Sequence, residues 1–436
     1  MDLARTTDIG TQTYDLIVIG GGPSGMRGAG RAPYGGARVL LLERNNELGK
    51  KLKITGGGRC NITNAELDVR AFLAHFPQAK EFLFSPFSQF SAKDTFTFFE
   101  KKGLPLVTEA RDRVFPRSQK AMDVFRVIEK YVKKHNVRVK LNARVTTLKQ
   151  KDDGGFSVRT ASGEKFIARA VAIATGGVAA PETGSTGDGF KMIRLLGHTI
   201  NTPNPNIVPL KTDAKWVHKL SGVSLSFMKL SFLQNSKVKI KKTGKILFTH
   251  FGISGPLVLN SSYEVRELLE AGAVDAVIDL FPNTDENDLD RKMRNLFEKH
   301  KNKKMKNVFP ELLPKVKKLA ETILALHNID LAEKEVHSVT REERKKLVKK
   351  MKALTFPITG TLCFDKAVIT DGGVVLKEIN FKNMTSRIHP NLYILGDVLN
   401  INRPSGGFSL QLCWTTGFVA GTDAGKKANI TKVRLQ

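Results

Sequence analysis

The chain has 436 residues, of which 41% are hydrophobic and 26% are charged, an ordinary globular composition for two or three folding units. The three cysteines, Cys60, Cys363 and Cys413, form no CxxC pair. Neither a disulfide framework nor a metal site is therefore expected, and a reducing compartment fits best. No apolar run approaches the ~18 residues that span a bilayer, and residues 1–14 lack the apolar stretch of a signal peptide. We expect a cytoplasmic protein without a membrane span.

The charge balance is unusual, because 70 basic residues oppose 42 acidic ones and the formal net charge is +28. Such an excess favours a polyanionic partner, such as nucleic acid or a membrane surface. A lysine-rich lineage or a need for solubility explains it equally well. The charge is also segregated: 211–250 holds nine Lys and one Asp, 251–290 one Arg and nine acids, and 291–355 nineteen basic residues and eight acids. Two basic segments thus flank an acidic one.

The first motif lies near the N-terminus. An apolar run at 15–19 precedes GGGPSG and a small-residue segment, and a second apolar run occupies 38–43. This order predicts a strand, a tight turn, a helix and a second strand. Gly20, Gly22 and Gly25 have the GxGxxG spacing at the turn, which is typical of dinucleotide-binding βαβ units.

Each glycine of this motif has a physical role. Gly20 permits the tight turn, Gly22 lets the backbone approach a pyrophosphate, and Gly25 allows close packing of helix on strand. The helix N-terminus then faces the phosphates. Glu43 follows 18 residues later at the end of the second strand, where it can accept a hydrogen bond from a ribose hydroxyl and disfavours a 2′-phosphate. A purely structural glycine turn is the alternative.

The rest of the chain divides into segments of different character. A basic loop carries TGGGRCNITN (55–64), an amphipathic helix is predicted over 118–135, and antiparallel strands end in the apolar strand AVAIA (170–174). Short strands and then basic helices follow, until α/β character returns at 356. The predicted domains are a nucleotide-binding domain in two parts, 1–196 and 356–436, and an insert at 197–355 that is β-rich at 197–283 and helical at 284–355.

Two later glycine motifs narrow the choice of cofactor. Thr175-Gly176-Gly177 ends the AVAIA strand, and Gly396-Asp397 follows the strand NLYIL and precedes a Gly-Gly turn. An aspartate at such a strand end suits a ribityl hydroxyl, and the turn opens a helix whose positive end can stabilise charge at the flavin N1/O2 edge. An NAD-only dehydrogenase needs no such C-terminal return, so the order of motifs favours FAD.

With these motifs, the chain resembles the BaiN/YhiN-like family of FAD-dependent oxidoreductases, also called aminoacetone-oxidase-like. The matching strings run in order along nearly the whole chain, and only 284–350 matches loosely. The matching strings are GKKLKITGGGRCNITN (49–64), RVFPRSQKAMDV (113–124), TGSTGDGF (183–190), GKILFTHFGISGP (244–256), and VITDGGVVLKEIN through GGFSLQLCWTTGFVAG (368–421). The resemblance implies an α/β fold, with a two-dinucleotide-binding (Rossmann-like) FAD domain and an inserted β-barrel-like plus helical domain.

The catalytic candidates are Cys60, Asn61 and His250. By resemblance the TGGGRCN loop lies at the flavin, where Cys60 would protonate a substrate carbon or Asn61 would bond the flavin edge; the alternative is a buried structural thiol. His250 is an acid or base candidate, or a structural histidine. The residues predicted to bind the cofactor are Gly20, Gly22, Pro23, Ser24, Gly25, Glu43, Arg44, Lys51, Gly57, Gly58, Arg59, Val145, Thr175, Gly176, Gly177, Gly396, Asp397, Gly406, Gly407 and Phe408.

Three further residues are assigned structural roles, and Lys51 keeps two interpretations. Asp188 and Asp371 lie beside glycines and are predicted as turn residues. Cys413 is incidental by comparison with the family, whose typical residues there are aliphatic or aromatic. Lys51 either reaches a phosphate or the flavin, or is a solvated lysine.

Three functions remain open at this point. The first is a reductase of an activated C=C bond that uses NAD(P)H as a transient donor; the family includes such reductases for steroid-like molecules and for uridine in ribosomal RNA. The second is a small-molecule amine oxidase that uses O₂. The third is a non-enzymatic, flavin-bearing RNA-binding factor. The basic insert favours an RNA partner, the absence of CxxC argues against a disulfide reductase, and the oligomeric state is open.

Overall fold

The computed structural model describes residues 13–327 and 329–435. The sequence predicts no signal peptide in residues 1–14, and of these, residues 1–12 lie outside the described residues. The chain forms two compact units, one that ends at Pro205 and resumes at Ala367, and another that spans Asn206–Lys366. The insert predicted at 197–355 and the second unit share 206–355. In the described part, no helix is both long and apolar enough to cross a membrane.

The elements are numbered in chain order. The strands are β1 (Thr13–Ile19), β2 (Val39–Leu42), β3 (Thr63–Asn64), β4 (Leu106–Glu109), β5 (Arg113–Pro116), β6 (Arg138–Lys140), β7 (Val145–Gln150), β8 (Phe156–Thr160), β9 (Lys165–Ile173), β10 (Ile200–Asn206), β11 (Leu210–Lys211), β12 (Ser224–Gln234), β13 (Lys237–Thr249), β14 (Gly252–Ser254), β15 (Val274–Asp279), β16 (Leu354–Ile358), β17 (Gly360–Thr361), β18 (Ile369–Val374), β19 (Ile379–Asn380), β20 (Thr385–Ser386) and β21 (Leu392–Ile394). The helices are α1 (Pro23–Arg31), α2 (Lys50–Ile54), α3 (Val69–Leu73), α4 (Lys80–Gln89), α5 (Ala92–Glu100), α6 (Ala121–Lys134), α7 (Asp188–Leu195), α8 (Lys215–Lys219), α9 (Pro256–Leu259), α10 (Ser262–Ala271), α11 (Glu286–Lys299), α12 (Met305–Val308), α13 (Lys317–His327), α14 (Ile329–Glu333), α15 (Arg341–Lys352) and α16 (Phe408–Leu435).

The first unit is built on a parallel sheet in the order β21-β9-β1-β2-β6, with antiparallel strands added at its margins. Strand β2 is buried at every position, because helices cover both faces of a parallel sheet and its strands become continuous apolar runs. Parallel pairing also places the carboxyl ends of β1, β2, β9 and β21 at one edge. The residues that follow them, Gly20, Glu43, Ala174 and Leu395, are therefore gathered there, where α/β folds bind ligands.

Helix α16 lies against α1 at very short distance. A methyl group added at Gly417 would approach the Ser24 carbonyl to 2.5 Å, and one at Gly421 would approach the Gly28 carbonyl to the same distance. Small residues on both helices thus let the two backbones pack closely. Gly28 looks unfavourable for a helix in the sequence, but it is one of the residues that make this crossing possible.

The second unit contains a seven-stranded antiparallel sheet in the order β16-β15-β12-β13-β14-β11-β17. Its two end strands are consecutive in the chain, separated only by Thr359, whose amide donates to the Lys211 carbonyl at 3.0 Å. One bent stretch of chain therefore closes the sheet from both sides, as in a barrel. Helices α11 to α15 share a hydrophobic core with the sheet, which is separate from the core of the first unit. The predicted fold class is confirmed.

Candidate flavin site

A cleft of about 1200 Å³, open solvent included, lies within the first unit at the carboxyl edge of the parallel sheet. Segments from both ends of the chain line it. The residues that were predicted from sequence and lie in this lining are Gly20, Gly22, Pro23, Ser24, Glu43, Arg44, Lys51, Val145, Thr175, Gly176 and Asp397.

The turn from β1 into α1 has the geometry of a phosphate-binding loop. Gly20 has φ +109°, and a Cβ there would lie 2.5 Å from the Ala174 carbonyl oxygen. A Cβ at Gly25 would lie 1.9 Å from the Gly20 oxygen, so Gly25 packs helix on strand and does not line the cleft. A Cβ at Gly22 would meet no atom within 4 Å. The helix N-terminus is thus open toward the cleft, where it can accept a pyrophosphate.

Glu43 connects the end of β2 to this loop. Its carboxylate accepts from the Gly21 amide at 2.7 Å and from the Asn45 amide at 2.8 Å. Burial raises the pKa of Glu43, and those two amides oppose the change. The side chain holds the phosphate loop in place, and a lone pair on each oxygen is left for a ribose hydroxyl.

Two cationic groups approach the cleft from other elements. The Lys51 ammonium donates to the Ala179 carbonyl at 2.6 Å and to the Ser185 hydroxyl at 2.9 Å, which leaves one N–H. Burial lowers the pKa of Lys51. Arg44 donates to the Thr186 hydroxyl at 2.5 Å. Both predicted cations therefore border the cleft with partners of their own.

Asp188 is more than the turn residue that the sequence predicts. Arg144 binds its carboxylate through two N–H groups, at 2.9 and 3.2 Å, and Arg44 lies 3.3 Å from it. The hydrogen bond from Arg144 lowers the pKa of Asp188. Asp188 and both arginines line the cleft, so this ion-pair cluster forms part of its wall.

Another part of the lining comes from the C-terminal part of the chain. The Asp397 carboxylate is paired with the buried Arg403 guanidinium, which also donates to the Ile401 carbonyl at 2.7 Å and the Ser409 hydroxyl at 3.0 Å. Ser409 and Cys413, in the first two turns of α16, line the cleft. The positive end of this long helix therefore borders the site, which favours bound negative charge.

The other predicted cofactor residues lie outside the lining. Gly177 packs against Thr370, and Gly407 against the backbone of Thr63. Phe408 makes edge-to-face contacts with Phe72 and Phe76. The other predicted cofactor residues that do not line the cleft are Gly57, Gly58, Arg59, Gly396 and Gly406.

The TGGGRCN loop is occupied by contacts within the protein. Arg59 pairs with Glu109, and its Nε donates to the Gln119 side chain at 2.7 Å. Asn61 accepts from the Val114 amide at 3.2 Å. The Cys60 side chain is fully buried in the hydrophobic core. The backbone of the loop has positive φ angles, including 63° at Cys60. Neither of the catalytic candidates in the loop lines the cleft.

His250 lies in the other compact unit, at the end of β13, and is exposed. Its ring contacts Phe251, with centroids 4.8 Å apart. It has no place in the cleft lining, which belongs to the first unit. The structure thus brings together the predicted cofactor residues of the strand ends, but not the three catalytic candidates.

Several lining residues were not among the candidates: Asn45, Arg144, Ser185, Thr186, Ser409 and Cys413. Asn45 and Arg144 follow strand ends, which is a sequence signal for this edge. Ser185 and Thr186 lie in the string TGSTGDGF, which the family resemblance singled out. Nothing in the sequence distinguishes Cys413 from a core position.

The three cysteines should differ strongly in alkylation by iodoacetamide at pH 8. Cys363 is exposed, whereas burial raises the pKa of Cys413 to about 12 and also raises that of Cys60. The thiolate is the reactive form, so Cys413 should react on the order of 1000-fold more slowly than an ordinary thiol. Peptide mass spectrometry of the native protein measures the rates, with guanidinium-unfolded protein as the control. Equal rates at Cys413 and Cys363 in the native protein would contradict the burial.

Taken together, the phosphate-loop turn, the acid after β2 and the C-terminal return define an FAD-type Rossmann oxidoreductase. Residues 14–423 match the family described as HI0933-like protein Rossmann domain, and the chain belongs to this family. This confirms the resemblance and the predicted enzyme class, an FAD-dependent oxidoreductase.

Curated relatives match nearly the whole chain. One is the 3-dehydro-bile acid delta(4,6)-reductase of Clostridium scindens, 32% identical over 94% of this chain and 98% of the relative. Another is the ribosomal RNA dihydrouridine synthase of Escherichia coli, 28% identical over the same shares. Among solved structures, the 3-ketosteroid-delta4-(5alpha)-dehydrogenase of Rhodococcus jostii has a TM-score of 0.53 at 14% identity and covers 97% of this chain and 99% of its own. That likeness shows the fold alone.

Proposed function

We propose that the protein is an FAD-dependent reductase that uses NAD(P)H to saturate an activated C=C bond, with uridine in ribosomal RNA as its substrate in the cytoplasm. The observation that carries the proposal is the cleft, which combines the open side of Gly22 at the start of α1 with the first turns of α16. Such a pair of helix N-termini favours a cofactor with a pyrophosphate and an anionic ring edge.

The cleft residues fit FAD in chemical terms. Bound FAD supplies two-electron chemistry, carrying hydride equivalents from a nicotinamide donor to a carbon acceptor. The amides at the first turn of α1 would bind the pyrophosphate, and Glu43 would accept from a ribose hydroxyl. The third N–H of Lys51 and the N-terminus of α16 would stabilise negative charge. Arg403 would hold Asp397 in one orientation toward the ribityl chain.

The reaction suits uridine because its C5=C6 bond is conjugated to the C4 carbonyl. Reduction adds a hydride to C6 and a proton to C5, which gives dihydrouridine while NAD(P)H becomes NAD(P)⁺. The large positive charge of the chain, +28, supports a polyanionic substrate. The name of the Escherichia coli relative, ribosomal RNA dihydrouridine synthase, points in the same direction.

A second candidate is the reduction of a small-molecule enone. It is favoured by the relative at 32% identity, which is named a 3-dehydro-bile acid delta(4,6)-reductase. The chemistry is the same, because an enone is also a C=C bond conjugated to a carbonyl. The two candidates differ in what the protein must bind outside the cleft: a polyanion in one case and an apolar molecule in the other.

The function is tested by deletion of the gene and by turnover. In the source organism, deletion should remove dihydrouridine at one or more positions of the ribosomal RNA, as measured by nuclease digestion and mass spectrometry. Anaerobic reduction of the yellow protein with NADH or NADPH, followed by mixing with ribosomal RNA from the deletion strain, should restore the oxidised flavin spectrum. Re-expression of the Gly22→Val variant serves as the inactive control.

The other outcomes have distinct readouts. Unchanged dihydrouridine in the deletion strain, with reoxidation by an enone, would replace the RNA substrate by a small molecule. Peroxide release in air with aminoacetone, and no reoxidation by either acceptor without O₂, would establish the amine oxidase that the sequence left open.

A further inference from the structure

The β12–β13 hairpin of the second unit is strongly basic. Its two strands are joined by Asn235 and Ser236, which have φ of 51° and 61°, the left-handed conformations of a tight two-residue hairpin turn. Residues 224–249 contain six lysines and no acidic residue. The hairpin therefore cannot neutralise its charge within itself.

Five of the six hairpin lysines also have no acidic partner among the residues that the structure describes. Lys242 pairs with Glu264 of α10. Within residues 13–327 and 329–435, no carboxylate lies within 4.0 Å of the other five, which are Lys229, Lys237, Lys239, Lys241 and Lys245. The basic helices differ, because many of their cations have acidic partners: Lys304 and Lys306 share Glu333, and Arg344 binds Asp290 at 2.6 Å.

Three of these lysines, Lys229, Lys241 and Lys245, share the outer face of the sheet. Leu230, Phe232 and Ile246 point into the core, so the alternate positions on the two strands point outward. Lys229 and Lys241 are diagonal neighbours on that face, and the Lys241 ammonium beside Lys229 lowers the pKa of Lys229. The nearby Asp279 carboxylate is bound to Lys352 at 2.8 Å. Two adjacent cations of this kind favour an anion between them.

An exposed aromatic ring lies beside the lysines. Phe227 is 78% exposed and sits in a β-bulge between Leu225 and Met228, opposite Lys245. Its φ is 59°, a conformation that costs free energy for a bulky side chain. In the described part of the second unit it is the only exposed large aromatic residue. A solvated ring on a residue with an unfavourable backbone conformation adds no stability to the fold, which points to a ligand.

We propose that the outer face of this hairpin binds a single-stranded segment of RNA, with a base stacked on Phe227 and phosphates at Lys229, Lys241 and Lys245. Base–aromatic stacking beside a row of cations is the common way to bind single strands without strict sequence preference. The inference rests on the proposed RNA substrate and assigns it a docking surface. The exposed ring distinguishes this surface from the basic helices, which have charge alone.

The first test replaces Phe227 with asparagine in the full-length holoprotein. Asparagine tolerates a positive φ better than phenylalanine does, so the midpoint of thermal unfolding should be unchanged or higher. Affinity for a fluorescein-labelled 12-nucleotide oligouridine, measured by fluorescence anisotropy, should fall on the order of tenfold, because one stacking contact is lost. Retained affinity would overturn the role of the ring.

The second test uses charge and a matched control. The double variant Lys241→Gln/Lys245→Gln should lower the magnitude of the slope of log K against log salt by about 1.4, since each phosphate contact on a single strand contributes ~0.7. The control, Lys345→Gln/Lys349→Gln, removes the same charge from exposed positions of α15 and should leave the slope unchanged. Equal changes of slope in both double variants would mean that RNA binding follows the overall charge of the protein, and would overturn the proposed site on the hairpin.

These results are separable from the proposed function. Oligonucleotide binding that depends on Phe227, in a protein whose deletion leaves dihydrouridine unchanged, would keep the docking surface and remove the proposed substrate. If deletion removes dihydrouridine but the hairpin variants bind the oligonucleotide normally, the proposed substrate is kept and the docking surface on the hairpin is overturned. Vesicles of phosphatidylglycerol that displace the oligonucleotide, and whose own binding needs Phe227, would show a lipid surface and overturn the proposal.

Discussion

The Gly22→Val variant should fold normally and lose FAD. Gly22 has extended backbone angles, φ −78° and ψ −177°, which valine adopts without strain. A Cβ at this position meets no protein atom within 4 Å, so the side chain enters only the space of the cleft. There it would keep the pyrophosphate from the amides at the start of α1. Because each hydrogen bond to a charged group contributes roughly 1.5–3 kcal/mol, the affinity for FAD should fall about 100-fold or more.

The measurement is a titration of the apoprotein with FAD, followed by quenching of flavin fluorescence. The thermal midpoint of the apoprotein should match that of wild type, which separates loss of the site from loss of the fold. Gly25→Ala is the matched contrast, since its Cβ would lie 1.9 Å from the Gly20 oxygen and overpacking costs about 1–3 kcal/mol. That variant should lower the midpoint of the apoprotein itself. Normal FAD affinity in Gly22→Val would rule out the phosphate loop.

The Arg403→Met variant should destabilise the first unit by about 3 kcal/mol. The guanidinium is fully buried and the Asp397 side chain is 17% exposed, so removal of the cation leaves a largely buried carboxylate without its partner. It also leaves the Ile401 carbonyl without its donor at 2.7 Å. Breaking one side of a buried ion pair costs about 3–5 kcal/mol, because the remaining charge is uncompensated.

Urea unfolding of the apoprotein measures this effect. In a Trp216→Phe background, the remaining tryptophan is Trp414, which is buried in α16 and donates to the Ile62 carbonyl at 3.0 Å. Its fluorescence therefore reports the first unit. The double variant Arg403→Met/Asp397→Asn should recover about 1–2 kcal/mol, because it removes the unpaired charge. No recovery would mean that Arg403 acts through packing, and not through Asp397.

The βαβ unit and the strand ends could be predicted from the sequence because their signals are local. Gly20, Gly22 and Glu43 lie within one short stretch, and short apolar runs before a glycine turn and before an acid are typical of buried strands in a parallel sheet. Thr175 and Asp397 follow apolar strands in the same way, and parallel pairing brings all strand ends to one edge. The cleft lining at these positions follows from chain direction alone.

The TGGGRCN loop could not be placed in this way. Its glycines indicate that the backbone lies close to a ligand, and the family resemblance implies that this ligand is the flavin. In the structure, Arg59 contacts Glu109 and Gln119, and Cys60 is buried. These partners lie 50 to 60 residues away in the chain, so no local pattern could have revealed them. A catalytic role for Cys60, Asn61 or His250 stays a prediction without support from the cleft geometry.

By itself, the sequence determined that this protein has a dinucleotide-binding α/β domain, an FAD-type order of motifs and a basic insert, because turn chemistry, strand periodicity and charge are carried by neighbouring residues. Only the tertiary structure decided which charged groups have partners. It bound Asp397 to Arg403 and Asp188 to Arg144, and among the described residues it left the lysines beside Phe227 without a carboxylate within ion-pair distance. The physical reason is that pairing of charges depends on distances between elements far apart in the chain.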